Sequence, residues 1–309
     1  MKKKTAIIFS GITSFITFVF LMALLPKENS AILPPKKKIV FIAGGCSHGP
    51  GEHEHYAGCA LLADQLNKQA GTLVDAVAYK GWPADSAVLN DAASIVLYMD
   101  GGEGHAALPH LDHLNKLMKK GTGLACLHYA VEVPKDTGGA EFKDWIGGYF
   151  ETDWSVNPHW NAAYTALPKH PVTNGVKPFT IKDEWYYHMR FRDNMKGVTP
   201  ILSAVPPAST LDREMGPHSN NQYVTKEVAA GKAQVMCWTA ERSDGGRGFG
   251  FTGGHQHTNW GNENFRKVVL NGIVWTAKAA VPANGVPTPA LTDADLQKNL
   301  DRKPCSQFR

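Results

Sequence analysis

"KKKIVFIAGGCSHGPGEHEHYAG", residues 36–58, contains both the first structural signal of the chain and the first chemical one. The unbroken apolar run Ile39 to Ala43 is what a strand buried on both faces requires, and it ends in two glycines. Three histidines and two glutamates then crowd between Gly44 and Gly58. A helix is predicted from about Tyr56 to Ala70, so the loop leaves the carboxyl end of a buried strand and opens a helix. Two readings of the loop stand at this point: a glycine-rich turn whose histidines face water, or one wall of a site whose glycines let a ligand approach the backbone.

The pattern repeats downstream. "LVDAVAY" (73–79), "ASIVLYMD" (93–100) and "GLACLHYAV" (123–131) read as buried strands. "LPHLDHLNKLMKKG" places Leu108, Leu111, Leu114, Leu117 and Met118 on one helical face and stops at Gly121. Strands and helices alternating at this length predict an α/β fold, a mostly parallel central sheet covered by helices on both faces. Ligands bind such sheets at the carboxyl ends of their strands. Three successive strand ends carry His48 and its neighbours, Asp100 to His105, and His128.

Composition bounds the rest. With 309 residues and 43% hydrophobic content, the chain can bury a substantial core. Its net charge of +4 is smaller than the contribution of the two lysine runs 2–4 and 36–38, so no nucleic-acid surface is expected. Lys2 to Lys4 followed by a long uncharged apolar stretch read as an export signal. It is either cleaved near Ala31 or retained as a membrane anchor over residues 1–31, which places the protein in the periplasm, outside the cell or on the membrane. Five scattered cysteines without a Cys-x-x-Cys pair argue against a disulfide framework and a thiolate metal site; they read as buried free thiols. At "GGEGH" (101–105) there is neither Gly-Lys-Ser/Thr nor a full Gly-x-Gly-x-x-Gly, so that stretch reads as a wall of the cleft rather than a phosphate cradle, and no nucleotide cofactor is expected. Residues 281–309, rich in proline and small residues, read as a surface tail without a site.

In the second half, "DEWYYHMRFR" (183–192) taken as one strand sets Glu184, Tyr186, His188, Arg190 and Arg192 on a single face. "GGHQHTNW" (253–260) sets His255 and His257 on one side, a second His-x-His pair beside His53 and His55. Such pairs ligate divalent ions, and one ion is expected, held by His53, His55 and His257. At "ACLHYA" a sharp strand-to-helix turn needs small residues two places either side of the presented side chain. Cys126 and Ala130 flank His128 in that way, whereas Leu124 and His128 fit poorly around Cys126.

The stretches "SHGPGEHEHYAG", "GLACLHYAVEVP", "DWIGGYF", "VNPHW", "HPVTNGVKPFTIKDEWYYHMRFR" and "GRGFGFTGGHQHTNWGNENFRKVVLNGIVWTA" closely resemble the ThuA-like (trehalose-utilisation) family over about residues 38–280. The resemblance implies a flavodoxin-like, class I glutamine amidotransferase-like domain. Amidotransferases carry cysteine where His128 stands, so thioester chemistry on glutamine is not expected. It also implies catabolism of disaccharides through 3-keto intermediates. Removing the acidified proton beside a sugar carbonyl needs a base and an acid or metal. The expected catalytic residues are His128, Glu184, His188 and His255. The expected substrate contacts are His48, Glu52, Tyr129, Tyr186, Arg190 and Trp260, with Trp154 and Trp160 as further stacking candidates. The competing expectation is a sugar-binding protein that has lost the nucleophile of its scaffold.

Overall fold

The computed structural model describes residues 35–305, so the expected export segment lies outside the described residues. Among those described, no helix is long and apolar enough to cross a membrane. The first half alternates as expected: β1 (Lys37–Ala43), α1 (His55–Gln69), β2 (Val74–Lys80), β3 (Ser94–Tyr98), α2 (Leu111–Lys119), β4 (Gly123–Leu127) and α3 (Gly139–Trp145). The second half adds β5 (Gly148–Tyr149), β6 (His159–Tyr164), β7 (Phe179–Glu184), β8 (Arg190–Phe191), β9 (Val198–Ala204) and α4 (Gln222–Ala229). It closes with β10 (Gln234–Glu241), β11 (Arg247–Phe251), α5 (Glu263–Thr276) and α6 (Asp293–Leu296).

Seven strands form the central sheet in the order β2-β1-β3-β4-β11-β10-β9. The first five are parallel, and β10 runs against both its neighbours. Alternation along β1 shows why both faces must be covered. Ile39, Phe41 and Ala43 join one hydrophobic core with Leu62 and Leu66 of α1 and Val269 and Ile273 of α5. Val40 and Ile42 join the other, with Leu114, Leu117 and Met118 of α2. The fold is thus the expected α/β sheet with helices on both faces. Its consequence for function is that the carboxyl ends of β1, β3, β4 and β11 stand side by side. A separate antiparallel hairpin, β6 with β7, delivers the end of β7 to the same place.

Three expectations need correction. Residues 183–192 are not one strand: β7 stops at Glu184, the chain bends, His188 takes φ +60°, and only Arg190–Phe191 return to strand. The cause is non-local, since Tyr187 exchanges both backbone hydrogen bonds with Val156 and pulls the chain off its line. Nor are all cysteines free: Cys46 and Cys305 form a disulfide, while Cys59, Cys126 and Cys237 are buried thiols. Finally, the segment after 280, read as a surface tail, is in part packed into the body, with Val286 wholly buried in the core. The Arg266 guanidinium donates to the Pro289 carbonyl at 2.5 Å, and Asn271 accepts the Val286 amide at 2.8 Å.

The bend also redirects Arg190. It forms a two-pronged pair with Glu151 at 2.7 and 3.0 Å and lies 3.5 Å over the Trp154 ring. Burial raises the Glu151 pKa, but hydrogen bonds from Arg190 and Tyr149 outweigh it and hold the carboxyl below its ordinary value of 4.5. A depressed value means stabilisation present above about pH 4.5 and lost as pH falls through the folded-state value. Glu151→Gln should therefore cost about 2 kcal/mol at pH 7. In urea unfolding of both proteins, the gap should narrow steadily below pH 4.5; a gap constant down to pH 3 would refute the assignment.

Candidate functional site

Each strand end contributes one side chain. After β1, Gly44 turns the chain so tightly that a Cβ there would lie 2.6 Å from the Met99 Cβ, and the loop then carries His48, Glu52 and His53. After β3 comes Asp100, after β4 His128, and after β11 His255. Glu184 ends β7. His48, His53 and His128 all have positive φ (58°, 45° and 53°), a conformation that costs energy outside glycine and persists where the surroundings enforce it.

The four ligand-type atoms converge. His53 Nε2 lies 3.0 Å from His128 Nε2 and 3.0 Å from His255 Nδ1. Glu184 Oε2 lies 3.0 Å from His255 Nδ1 and 3.4 Å from His128 Nε2. All four lie within 4.8 Å of one another. The partners of the outward nitrogens settle the protons. His53 Nδ1 donates to Asp100 at 2.7 Å and His128 Nδ1 donates to the Thr252 carbonyl at 2.8 Å. Both Nε2 atoms are then unprotonated when the rings are neutral, with lone pairs turned toward the same point. Burial pushes the His53 pKa down to about 2 against the opposing pull of Asp100, so its ring is neutral. Burial also lowers His255, but Glu184 outweighs it and leaves that pKa raised. Burial raises the Glu184 pKa, and the neighbouring His128 and His255 imidazoles reverse the sign and leave it lowered.

Around this centre, the Tyr186 hydroxyl lies 3.2 Å from both His128 Nε2 and Glu184 Oε2, and Glu52 Oε1 lies 3.5 Å from His255 Nε2. His48 stacks on His53 with ring centroids 3.6 Å apart. The way in runs past His48, Glu52, Asp100 and His159, whose side chains are between 35 and 48% exposed, while the His53 and His128 side chains are no more than 1% exposed. Tyr129 borders the cluster, its ring 5.9 Å from that of His53. A surface groove between α1 and residues 289–299 lies elsewhere and holds none of these residues.

Other expected residues do not reach the cluster. His55 is the first residue of α1, where two positions correspond to about 200° of turn rather than to the alternation of a strand. Its Nδ1 meets the Gly45 carbonyl at 2.9 Å, and its Nε2 stands 3.6 Å from Asp100 without a hydrogen bond. His257 likewise opens a turn after His255 and is buried with Glu54 and Lys303 as the charged groups acting on it. His188 donates to the Trp154 carbonyl at 2.8 Å and faces Glu227. Trp260 is fully buried against Tyr98 and Phe265, and Trp160 is fixed in the core with its indole on the Trp185 carbonyl. Trp154 is occupied by Arg190 and His188. Cys126 is buried on β4, where burial pushes its thiol far above the ordinary value, so no thiolate stands at the turn.

Three residues escaped the sequence reading. Asp100 was visible only as a strand end. His159, in "VNPHW", lies 3.8 Å from Glu184 with its ring 4.8 Å from that of His255. Asp183 is buried and accepts the backbone N–H groups of Glu184, Gly254, His255 and Gln256 at 2.7–3.3 Å, which ties the end of β7 to the loop after β11.

Two solved structures share this architecture at TM-scores of 0.50 and 0.51. The chain overlays a ThuA-like protein of Bacteroides uniformis with a TM-score of 0.51 at 16% identity, covering 81% of this chain and 94% of the other. A ThuA-like protein of Parabacteroides merdae gives 0.50 at 16% identity, covering 79% and 90%. A GMP synthase protein of Thermoplasma acidophilum gives 0.42 at 12% identity, covering 79% and 96%. No curated protein matches in sequence. The family model described as "ThuA: Trehalose utilisation" matches residues 44–276, from the first glycine of the opening loop to the end of α5, and the chain belongs to that family.

Proposed function

We propose that the protein is a metal-dependent enzyme of carbohydrate breakdown, acting on a sugar or 3-keto-glycoside by removing a proton beside a carbonyl. One observation carries the metal: His53 Nε2 and His128 Nε2, whose rings each donate through Nδ1 to another group, face each other at 3.0 Å with a third imidazole and a carboxylate beside them. Such a set repels itself unless a cation or proton sits between. Tetrahedral zinc with bonds of 2.0–2.1 Å would space its ligands about 3.3 Å apart, close to the distances here. The outward nitrogens rest on Asp100, the Thr252 carbonyl and Glu52, the support that ligating histidines commonly receive.

On this reading His53, His128, His255 and Glu184 hold a divalent ion, which supplies an electrophile for a carbonyl oxygen. His128, expected as the base, is instead a ligand, since its reactive nitrogen points into the cluster and its side chain is wholly buried. His159, the more exposed of the two imidazoles on the open side and 3.8 Å from Glu184, is placed to accept the proton from a substrate carbon. Tyr129, its pKa pushed up to about 12 by burial and the nearby carboxylates, stays a phenol and offers a hydrogen bond to a sugar oxygen. The sugar itself rests on the family description, trehalose utilisation. An exported location is supported by the apolar N-terminal stretch and by the Cys46–Cys305 disulfide, a bond that persists in oxidising compartments.

The test is metal analysis of protein purified without a histidine tag, followed by NMR of its incubation with ordinary and 3-keto disaccharides, with and without chelator. About one ion per chain and chelator-sensitive conversion of the keto sugar are expected. Full metal without any turnover of either sugar would favour the sugar-binding alternative. Full turnover in chelator would overturn the metal.

A further inference from the structure

The loop that carries His48, Glu52 and His53 is fastened from behind by the far end of the chain. Lys303 reaches into it: its ammonium donates to the Glu52 carbonyl and lies 3.4 Å from the Glu54 carboxylate, with both side chains only 1% exposed. Glu54 also accepts the Asp301 amide at 2.7 Å and the Gly51 amide at 3.1 Å. Asp301 is held in turn by Lys80 at 3.1 Å. Two residues past Lys303, Cys305 closes the disulfide to Cys46, at the other end of the same loop. The front of the loop is held by His53 N–H on the His255 carbonyl, by His257 N–H on the Gly51 carbonyl, and by the side chains of the cluster itself, His53 on Asp100 and Glu52 beside His255.

A buried lysine–glutamate pair is a costly way to gain stability, and its best-supported use is to fix one arrangement against others. Here the arrangement fixed is that of a loop whose His48 and His53 both sit at positive φ, which relaxes unless the surroundings hold it. We propose that residues 301–305 form a redox-fastened strap that positions the ligand loop, with Lys303 as a positioning residue, so that metal affinity depends on the Cys46–Cys305 bond. The proposal rests on reading the histidine–glutamate cluster as a metal site. Opening the strap needs a two-electron reductant, a dithiol in the step written here or, in the test below, a phosphine that takes oxygen from water and leaves as its oxide. The dithiol delivers two electrons and two protons, the Sγ–Sγ bond breaks, two thiols form, and the dithiol leaves as its own disulfide. Lys303 with Glu54, and Lys80 with Asp301, then hold the strap.

A disulfide spanning 259 residues also stabilises the whole fold through the unfolded chain, so the test must separate local from global effects. Two readouts do this on the full chain: zinc affinity by chelator competition, and amide hydrogen exchange of the metal-free protein, comparing residues 46–55 with β1, β3 and β4. The samples are oxidised wild type, wild type reduced with a phosphine, the Cys46→Ser/Cys305→Ser double variant, Lys303→Met and Lys303→Arg. Reduction, the double serine variant and Lys303→Met should each lower zinc affinity about tenfold or more. Exchange in residues 46–55 should quicken by a similar factor with the strands unchanged, and Lys303→Arg should recover most of both. Unchanged loop exchange, or exchange that quickens equally in loop and strands, would overturn the strap. If oxidised wild type binds no zinc, the metal reading fails, and loop exchange still decides whether the strap positions the loop.

Discussion

His128→Asn should abolish metal-dependent activity while leaving the metal-free fold nearly intact. Asparagine is chosen for two reasons. It tolerates the left-handed backbone conformation that His128 adopts at φ +53°, where alanine or leucine would be strained. Its amide can also replace Nδ1–H as the donor to the Thr252 carbonyl. What it cannot replace is the second nitrogen, the one aimed at His53 and Glu184. The melting temperature of metal-free protein should therefore stay within about 3 °C of wild type. The rise in melting temperature that zinc gives wild type should disappear, and turnover should fall on the order of a thousandfold. Calorimetry with and without zinc, beside a turnover assay, checks all three. A variant that keeps its metal and its rate would show His128 to be a buried structural histidine; one that loses its fold as well would show that the turn, not the ligand, needs the imidazole.

Much of this geometry was legible in the residues because parallel sheets bring strand ends together whatever the sequence separation. Once Ile39–Ala43, 93–98 and 123–127 read as buried strands, His53, Asp100 and His128 had to lie on one edge, and small neighbours at Cys126 and Ala130 singled out His128 as the presented side chain. The roles were harder. Alternation assigned the faces of 183–192 correctly only as far as the strand lasted. Glu184 reached the site and Tyr186 followed it, but the Val156–Tyr187 pairing bent the chain and carried His188 and Arg190 elsewhere. The His-x-His pairs failed for the same reason, since period two does not survive the start of a helix or a tight turn. Asp100 and Asp183 belong to no spacing pattern, because what they hold lies tens of residues away. The Cys46–Cys305 bond is the extreme case: two cysteines 259 residues apart offer no local signal, and pairing cannot be deduced from position alone.

Adjacent carboxylates, Asp183 and Glu184, should respond to the same substitution in different ways. Asp183 Oδ1 accepts the amides of Glu184, His255 and Gln256 at 2.8, 3.1 and 3.3 Å, and Oδ2 accepts that of Gly254 at 2.7 Å. In Asp183→Asn one of the two oxygens becomes an NH2 group. Even if the remaining oxygen keeps its three partners, a donor now faces the Gly254 N–H in a side chain that no water reaches. Losing that charge-assisted bond and burying two opposed donors should cost about 3 kcal/mol, a fall in melting temperature of about 6–12 °C for a domain of this size. The loss extends to the site, because Asp183 is what holds Glu184 Oε2 and His255 Nδ1 at 3.0 Å, so zinc affinity should fall with stability. Glu184→Gln is different. Its carboxylate makes no backbone bond of this kind, and its partners are the imidazoles and the Tyr186 hydroxyl. Glutamine gives up the pair with His255 but leaves every backbone bond in place, so the metal-free fold should lose about 1–2 kcal/mol, less than in Asp183→Asn, while zinc affinity falls by well over tenfold, since a neutral amide is a poor ligand for a hard or borderline cation. Thermal unfolding of the two metal-free variants, followed by zinc titration, separates the cases. Equal losses of stability would mean that Glu184 belongs to the scaffold, and an Asp183→Asn protein as stable as wild type would remove the anchor on which the geometry of the site is argued to depend.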